Sequence, residues 1–145
     1  MIHSFLLDAE WNGGRNSTGK IDAGNLKQSI SIPSSMNGPG VGTNPDEMLL
    51  GAASTCFIIT YAAMLERSGM EVAALKLHSE AKVDVTANVF TFQSIHHVPT
   101  VVLEAGQSVE KAEKLAHKAE QACMISRALS GNVDLSVEPF VRIME

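Results

Sequence analysis

Residues 44–69 read NPDEMLLGAASTCFIITYAAMLERSG, and the fold turns on how this stretch is understood. Asn44 is a good N-cap and Pro45 fits the first helical position. Glu47, three residues after the cap, can reach back as in a capping box. Ser68-Gly69 supplies the stop. The enclosed helix is about 23 residues, or roughly 34 Å, long. From Met48 to Leu65 it carries no charged side chain, so it has no face suited to water. Such a run reaches the lower limit for crossing a bilayer. However, Gly51, Ser54, Thr55 and Thr60 dilute it and no basic asymmetry flanks it, so burial inside protein is the better account. A chain of 145 residues has little other material with which to cover such a helix on every side. A second copy is therefore expected to supply the rest, making the protein a homodimer.

On the C-terminal side the period changes. Leu75, Leu77, Ala81, Val83 and Val85 alternate with Lys76, His78, Glu80, Lys82 and Asp84, the pattern of a half-solvated strand. A turn near Ala87-Asn88 leads to a second strand, from Val89 through Ile95 to Leu103, in what reads as an antiparallel sheet; Pro99 predicts an edge, a bulge or a break there. A helix follows from Ser108 to about Ser130-Gly131, with Ala112, Leu115, Ala116, Ala119, Ala122 and Cys123 on its inner face. Val133–Val137 and Phe140–Ile143 read as closing strands.

Towards the N-terminus, residues 1–33 read as a small β-meander: Phe5 to Trp11, a turn at Asn12-Gly13-Gly14, a strand after Arg15, a turn at Gly24-Asn25, then Leu26 to Ile32. Residues 33–43 are rich in Gly, Pro and Ser and form a loop. No repeat or interdomain linker interrupts the sequence, so one α+β domain over residues 1–145 is expected. The composition, 45% hydrophobic and 19% charged, is that of a folded globular protein. A net charge of -5, with 11 Lys and Arg spread along the chain, argues against nucleic acid as a partner. The first residues lack a basic segment followed by a long apolar run, so the expected location is the cytoplasm, with no membrane partner.

Cys56 and Cys123 are the two cysteines, each within a segment read as helical. In a reducing compartment such a pair is more often catalytic, redox-sensing or metal-binding than a permanent crosslink. Taken alone, a cysteine in a buried helix is more often a small apolar core residue than a reactive one. Reactivity needs an electropositive setting, and Cys56 lies about three turns inside its helix, beyond the reach of that helix's own N-terminal dipole. Most cations lie on exposed faces; Arg15, after Gly13-Gly14, is the exception. A metal site made of Cys56, Cys123, His96 and His97 is disfavoured, because adjacent strand residues point to opposite faces. His78 and His117 read as solvated surface.

Three features together resemble the OsmC/Ohr family, the osmotically inducible and organic hydroperoxide resistance proteins. They are Gly13-Gly14-Arg15, the run Gly42-Thr43-Asn44-Pro45 opening a long helix that carries Ala52-Ala53-Ser54-Thr55-Cys56-Phe57, and Cys123 followed by Ser126-Arg127-Ala128-Leu129. The resemblance covers essentially the whole chain. It implies an intertwined α+β homodimer, with long central helices packed against curved antiparallel sheets and active sites at the subunit interface. It also implies a thiol peroxidase acting on organic hydroperoxides without a metal or organic cofactor. In that role Cys56 would be the attacking thiolate and Cys123 the resolving thiol, with a dithiol such as a lipoyl group as reductant. Arg15 would favour the thiolate and polarise the peroxide, held by an acid: Asp46, where the family usually has Glu, or its neighbour Glu47. Both acids also suit helix capping. Met124 is a departure, since the family often has Pro there. Met36, Phe57 and Ile58 are candidate apolar substrate contacts as well as ordinary core residues. The rival reading is a non-enzymatic dimeric scaffold or small-ligand-binding protein of the same fold.

Overall fold

A computed structural model describes residues 1–145, which fall into two compact units, Met1–Met48 and Leu49–Glu145, each taken here by itself. In the first unit β1 (Asp8–Trp11), β2 (Gly19–Ala23) and β3 (Leu26–Ile30) form an antiparallel meander. β1 is shorter than the run Phe5 to Trp11, because no strand pairs with the exposed residues before Asp8. β2 starts at Gly19 rather than just after Arg15, because residues 12–18 close a loop through Asn12 N–H to Thr18 O (3.1 Å) and Ser17 N–H to Gly14 O (3.1 Å). Gly19 faces Trp11, and a Cβ there would run into the Glu10 carbonyl and the Trp11 ring.

β3 ends at Ile30. Ser31 N–H then bonds Thr43 O (3.1 Å), and the Ser31 hydroxyl both donates to and accepts from the backbone of Val41 (2.8 and 2.7 Å). The Gly/Pro/Ser-rich segment is thus an ordered loop, with a 3-10 turn at Ser34–Met36 ending on Asn37 in the left-handed region (φ 62°).

α1 runs Pro45–Arg67, as its caps predict. Asn44 Oδ1 accepts the Glu47 N–H at 2.9 Å. The Glu47 carboxylate takes the Thr43 hydroxyl (2.9 Å), a variation on the capping box in which the acid bonds the residue before the cap. At the other end Gly69 (φ 73°) closes a Schellman motif, with Gly69 N–H to Glu66 O (2.9 Å) and Met70 N–H to Leu65 O (3.0 Å).

In the second unit β4 (Val72–Thr86) and β5 (Val89–Leu103) make a long antiparallel hairpin around Ala87-Asn88, both at positive φ. α2 (Val109–Ala122) and α3 (Met124–Leu129) follow, then β6 (Asp134–Val137) and β7 (Phe140–Ile143). Both final strands pair with β5 in parallel, so this sheet is mixed rather than purely antiparallel. The helical crossover brings the chain back in the direction of β5, which parallel pairing requires. β6 pairs with residues 94–97 and β7 with 100–103. Pro99 thus lies in the gap between two neighbours that share one side of a central strand, where a missing N–H breaks no ladder bond on that side.

Ser108 caps α2, accepting the Lys111 N–H at 3.1 Å. The helix read as continuous to Ser130 breaks at Cys123, whose backbone (φ -55°, ψ 129°) is extended and links α2 to α3. Ala122, expected on the inner face, is exposed.

The main core joins Phe57, Tyr61 and Leu65 of α1 to Val101 and Leu103 of β5 and to Ala112, Ala116 and Ala119 of α2. The small alanine face lets α2 approach closely enough for the Tyr61 hydroxyl to donate to Ala112 O at 2.7 Å. Ala53, Ile95 and Val133 form a second cluster. Within one chain α1 buries only the stripe Ala53, Phe57, Tyr61 and Leu65, while Ile59 is 67% exposed. By length and composition alone α1 could cross a membrane; its stripe of large side chains is instead packed inside protein.

Candidate active site

Cys56, half-buried on α1, and Cys123, fully buried at the α2–α3 junction, are both free thiols within hydrogen-bonding reach of each other. Their settings push them in opposite directions. Burial raises the Cys56 thiol. That is outweighed by the hydrogen bond from the Cys123 thiol, then by the Ile125 N–H, the Thr60 hydroxyl and the Met124 N–H, so Cys56 lies below its ordinary value. Burial also raises Cys123, and the bond it donates to Cys56 raises it further. The Ser126 N–H, the Ser126 hydroxyl and the Ile125 N–H offset this only in part. The pair therefore favours a Cys56 thiolate that accepts a hydrogen bond from a Cys123 thiol.

The electropositive setting of Cys56 thus includes a source the sequence reading missed: backbone N–H groups in the first turn of α3. They are free to point at the sulfur because the helix restarts after Cys123, leaving its first donors without partners inside the helix. No Gly or Pro marks that restart, so the helical periodicity reads straight through it.

Arg15 is held by its own loops. Its guanidinium donates to Asn16 Oδ1 (2.7 Å), Asn37 O (3.2 Å) and Met36 O (3.0 Å). Neither Asp46 nor Glu47 forms an ion pair with it. Glu47 is exposed and bonded to Thr43, while Asp46 is half-buried in the first turn of α1. Met36 meets Arg15 through its carbonyl.

Phe57, considered above as a substrate contact, is a core residue with no exposed surface in the chain. Its ring stacks on His97 (centroids 4.7 Å apart, planes at 11°) and tilts against Tyr61 (5.7 Å, 38°). Ile58 is half-buried.

His97 is fully buried. It shares a 2.6 Å hydrogen bond with Ser79 through Nδ1, and its Nε2 has no partner. Burial and then the neighbouring His96 lower its pKa to about 4. His96 turns to the opposite face, bonding Ser136 (2.6 Å) and Glu138 (3.2 Å). No group of three or more His, Cys, Asp or Glu side chains is placed to share a metal ion.

A small α+β protein with two adjoining, inequivalent thiols is thereby defined. Residues 38–138 match the family model described as OsmC-like protein, and the chain belongs to that family. It is 57% identical over 144 residues to Bacillus subtilis (strain 168) "Uncharacterized protein YmaD", covering 97% of this chain and 96% of the relative. It is 27% identical over 136 residues to the organic hydroperoxide resistance protein of Xanthomonas axonopodis pv. citri (strain 306), covering 92% of each. Among solved structures, that of a Legionella pneumophila organic hydroperoxide resistance protein OsmC superposes with a TM-score of 0.78 at 24% identity, over 97% of this chain and 98% of that one. This likeness establishes the shared fold.

Proposed function

We propose that the protein is a cysteine-based thiol peroxidase that reduces organic hydroperoxides to alcohols, with Cys56 as nucleophile and Cys123 as resolving thiol. The observation that carries this reading is a pair of adjoining free thiols of unequal access, Cys56 half-buried on α1 and Cys123 fully buried at the α2–α3 junction, whose surroundings hold Cys56 below and Cys123 above the ordinary thiol value. A thiolate at Cys56 attacks the terminal peroxide oxygen. The O–O bond breaks, the alkoxide leaves and is protonated to the alcohol, and Cys56 becomes a sulfenic acid. Cys123 sulfur then attacks Cys56 sulfur; the S–O bond breaks, water departs, and a disulfide forms. A dithiol of lipoyl type returns both thiols and is itself oxidised to a disulfide.

In this reading residues 1–145 act as one cytoplasmic OsmC/Ohr domain. Arg15, with Asp46 or Glu47, takes the charge-stabilising role drawn from the family resemblance, and Met36 and Ile58 are the candidate apolar contacts that favour alkyl over hydrogen peroxide. The working form is a homodimer, supported by the apolar surface of α1 that one chain leaves open around Ile59. The rival reading, a non-enzymatic scaffold or ligand-binding protein, is favoured by one observation: the Arg15 guanidinium bonds carbonyls rather than a carboxylate.

Intact mass after one equivalent of cumene hydroperoxide, with peptide mapping, decides between them. Loss of two hydrogens mapped to Cys56–Cys123 is expected, whereas an unchanged mass would leave the scaffold reading. The same treatment of Cys56→Ser is expected to leave the hydroperoxide unconsumed.

A further inference from the structure

Ser126 is a buried polar group that the proposed cycle leaves without a role. It is 2% exposed, and no oxygen or nitrogen partners its hydroxyl, whose polar neighbour is the Cys123 sulfur. It is the third residue of α3, and Cys123 occupies the N-cap position of that helix. From that position a side chain turns back over the first turn to meet the third residue. Ser126 therefore adjoins the Cys123 sulfur, which itself has no exposed surface.

The two sulfurs differ in access. Cys56 is half-exposed in the chain and Cys123 is closed off. The opening that admits a hydroperoxide to Cys56 is thus also the route by which a dithiol reaches the disulfide. Attack then falls on Cys56 sulfur, and the sulfur that must leave carrying the electron pair is the buried one.

We propose that Ser126 is the hydrogen-bond donor that holds Cys123 as a thiolate, both when it attacks the Cys56 sulfenic acid and when it departs from the disulfide. This rests on the thiol-disulfide cycle proposed above. In reduction, one thiolate of an external dithiol attacks Cys56 sulfur; a new S–S bond forms and the Cys56–Cys123 bond breaks. The electron pair stays on Cys123 sulfur, where Ser126 O–H donates to it until solvent supplies a proton. The second thiol of the reductant then attacks its own sulfur in the mixed disulfide, and Cys56 leaves as thiolate. The reductant departs as a cyclic disulfide, so two electrons and two protons pass from dithiol to protein. The hydroxyl, which no oxygen or nitrogen partners, gains an anionic acceptor when Cys123 becomes a thiolate and bonds it more strongly than it does the neutral thiol, which is the condition for lowering that step's barrier.

The test uses disulfide made with diamide, which requires no peroxide chemistry, followed by stopped-flow reduction with dithiothreitol across pH. Ser126→Ala is expected to slow reduction about tenfold, the effect of removing one hydrogen bond to a charged group. It should also move the pH midpoint of peroxide-driven disulfide formation upward. Ser126→Thr, which keeps the hydroxyl, is expected to restore both. Unchanged rates and pH midpoint in Ser126→Ala, equal losses in the Ala and Thr variants, or failure of diamide to join Cys56 to Cys123 in the parent would each overturn the proposal. Ser126-dependent reduction in a protein that consumes no hydroperoxide would uphold the role of Ser126 while removing the peroxidase reading. Peroxide turnover with rates indifferent to Ser126 would do the reverse.

Discussion

The two faces of α1 make an instructive contrast. One carries Ala53, Phe57, Tyr61 and Leu65, all closed within the chain against β5 and α2. Elsewhere on the same helix Gly51, Thr55, Ile59 and Ala62 are open, though they are nearly as apolar. Hydropathy does not distinguish the two, because both lack charge. Shape does: the closed face holds the large aromatics, while the open face is mostly small side chains around Ile59, suited to a second helix at close range. An uncharged helix therefore reports that it will be covered without reporting by which chain.

Substitutions can sharpen or break this contrast. The largest effect is expected at Phe57, where Ala leaves a cavity between His97 and Tyr61 and costs about 3–5 kcal/mol in chemical denaturation. A change below 1 kcal/mol would mean that the closed face is not closed in solution.

The next follows from His97. Its folded pKa, about 4, lies below the ordinary value near 6.5, so between these values the unfolded chain binds a proton that the folded chain refuses. Its contribution is therefore present above about pH 6.5 and is lost as pH falls towards 4, by about 3 kcal/mol in all. His97→Gln should flatten that part of a stability-versus-pH curve; an unchanged slope would remove His97 as the cause. Tyr61→Phe, which leaves Ala112 O without its side-chain donor, is expected to cost about 1–3 kcal/mol. Smallest for the fold of the single chain is Ile59→Asp on the open face. It should keep the far-ultraviolet spectrum while light scattering falls from twice 15.5 kDa to 15.5 kDa. A mass that does not respond would place the subunit contact elsewhere.

Much of this architecture was legible from the residues. Asn44, Pro45 and Gly69 carry start and stop chemistry, so α1 could be bounded, and alternation revealed the β4–β5 hairpin. Other features depend on tertiary contacts that no local pattern encodes. The break at Cys123 has neither Gly nor Pro to announce it, and the parallel pairing of β6 and β7 follows from where the α2–α3 crossover lands. Pro99 did signal an interruption, which proved to be a gap between two neighbours on one side of a central strand. Of the candidate site, the identity of both cysteines was legible. The α3 donors to Cys56 were not, because they exist only once the helix restarts. Arg15 was legible as an unusual cation, but its bonds to Met36 and Asn37 depend on the ordered loop.

The hairpin turn has a bearing on how the larger unit folds. Ala87 and Asn88 occupy positive φ (51° and 63°), the arrangement that joins two twisted strands through two residues. Pairing can start at Thr86 and Val89 and proceed outward to Val72 and Leu103 with little loop to close, on the timescale of microseconds. β6 and β7 join β5 only after about 30 further residues have been laid down as α2 and α3, a non-local closure that is intrinsically slower. The open side of β5 thus stays unpaired while the rest of the chain arrives. During synthesis the hairpin is complete before its last two strands exist, and for that interval β5 is an exposed edge that α2, α3 and the returning strands must reach before another chain does.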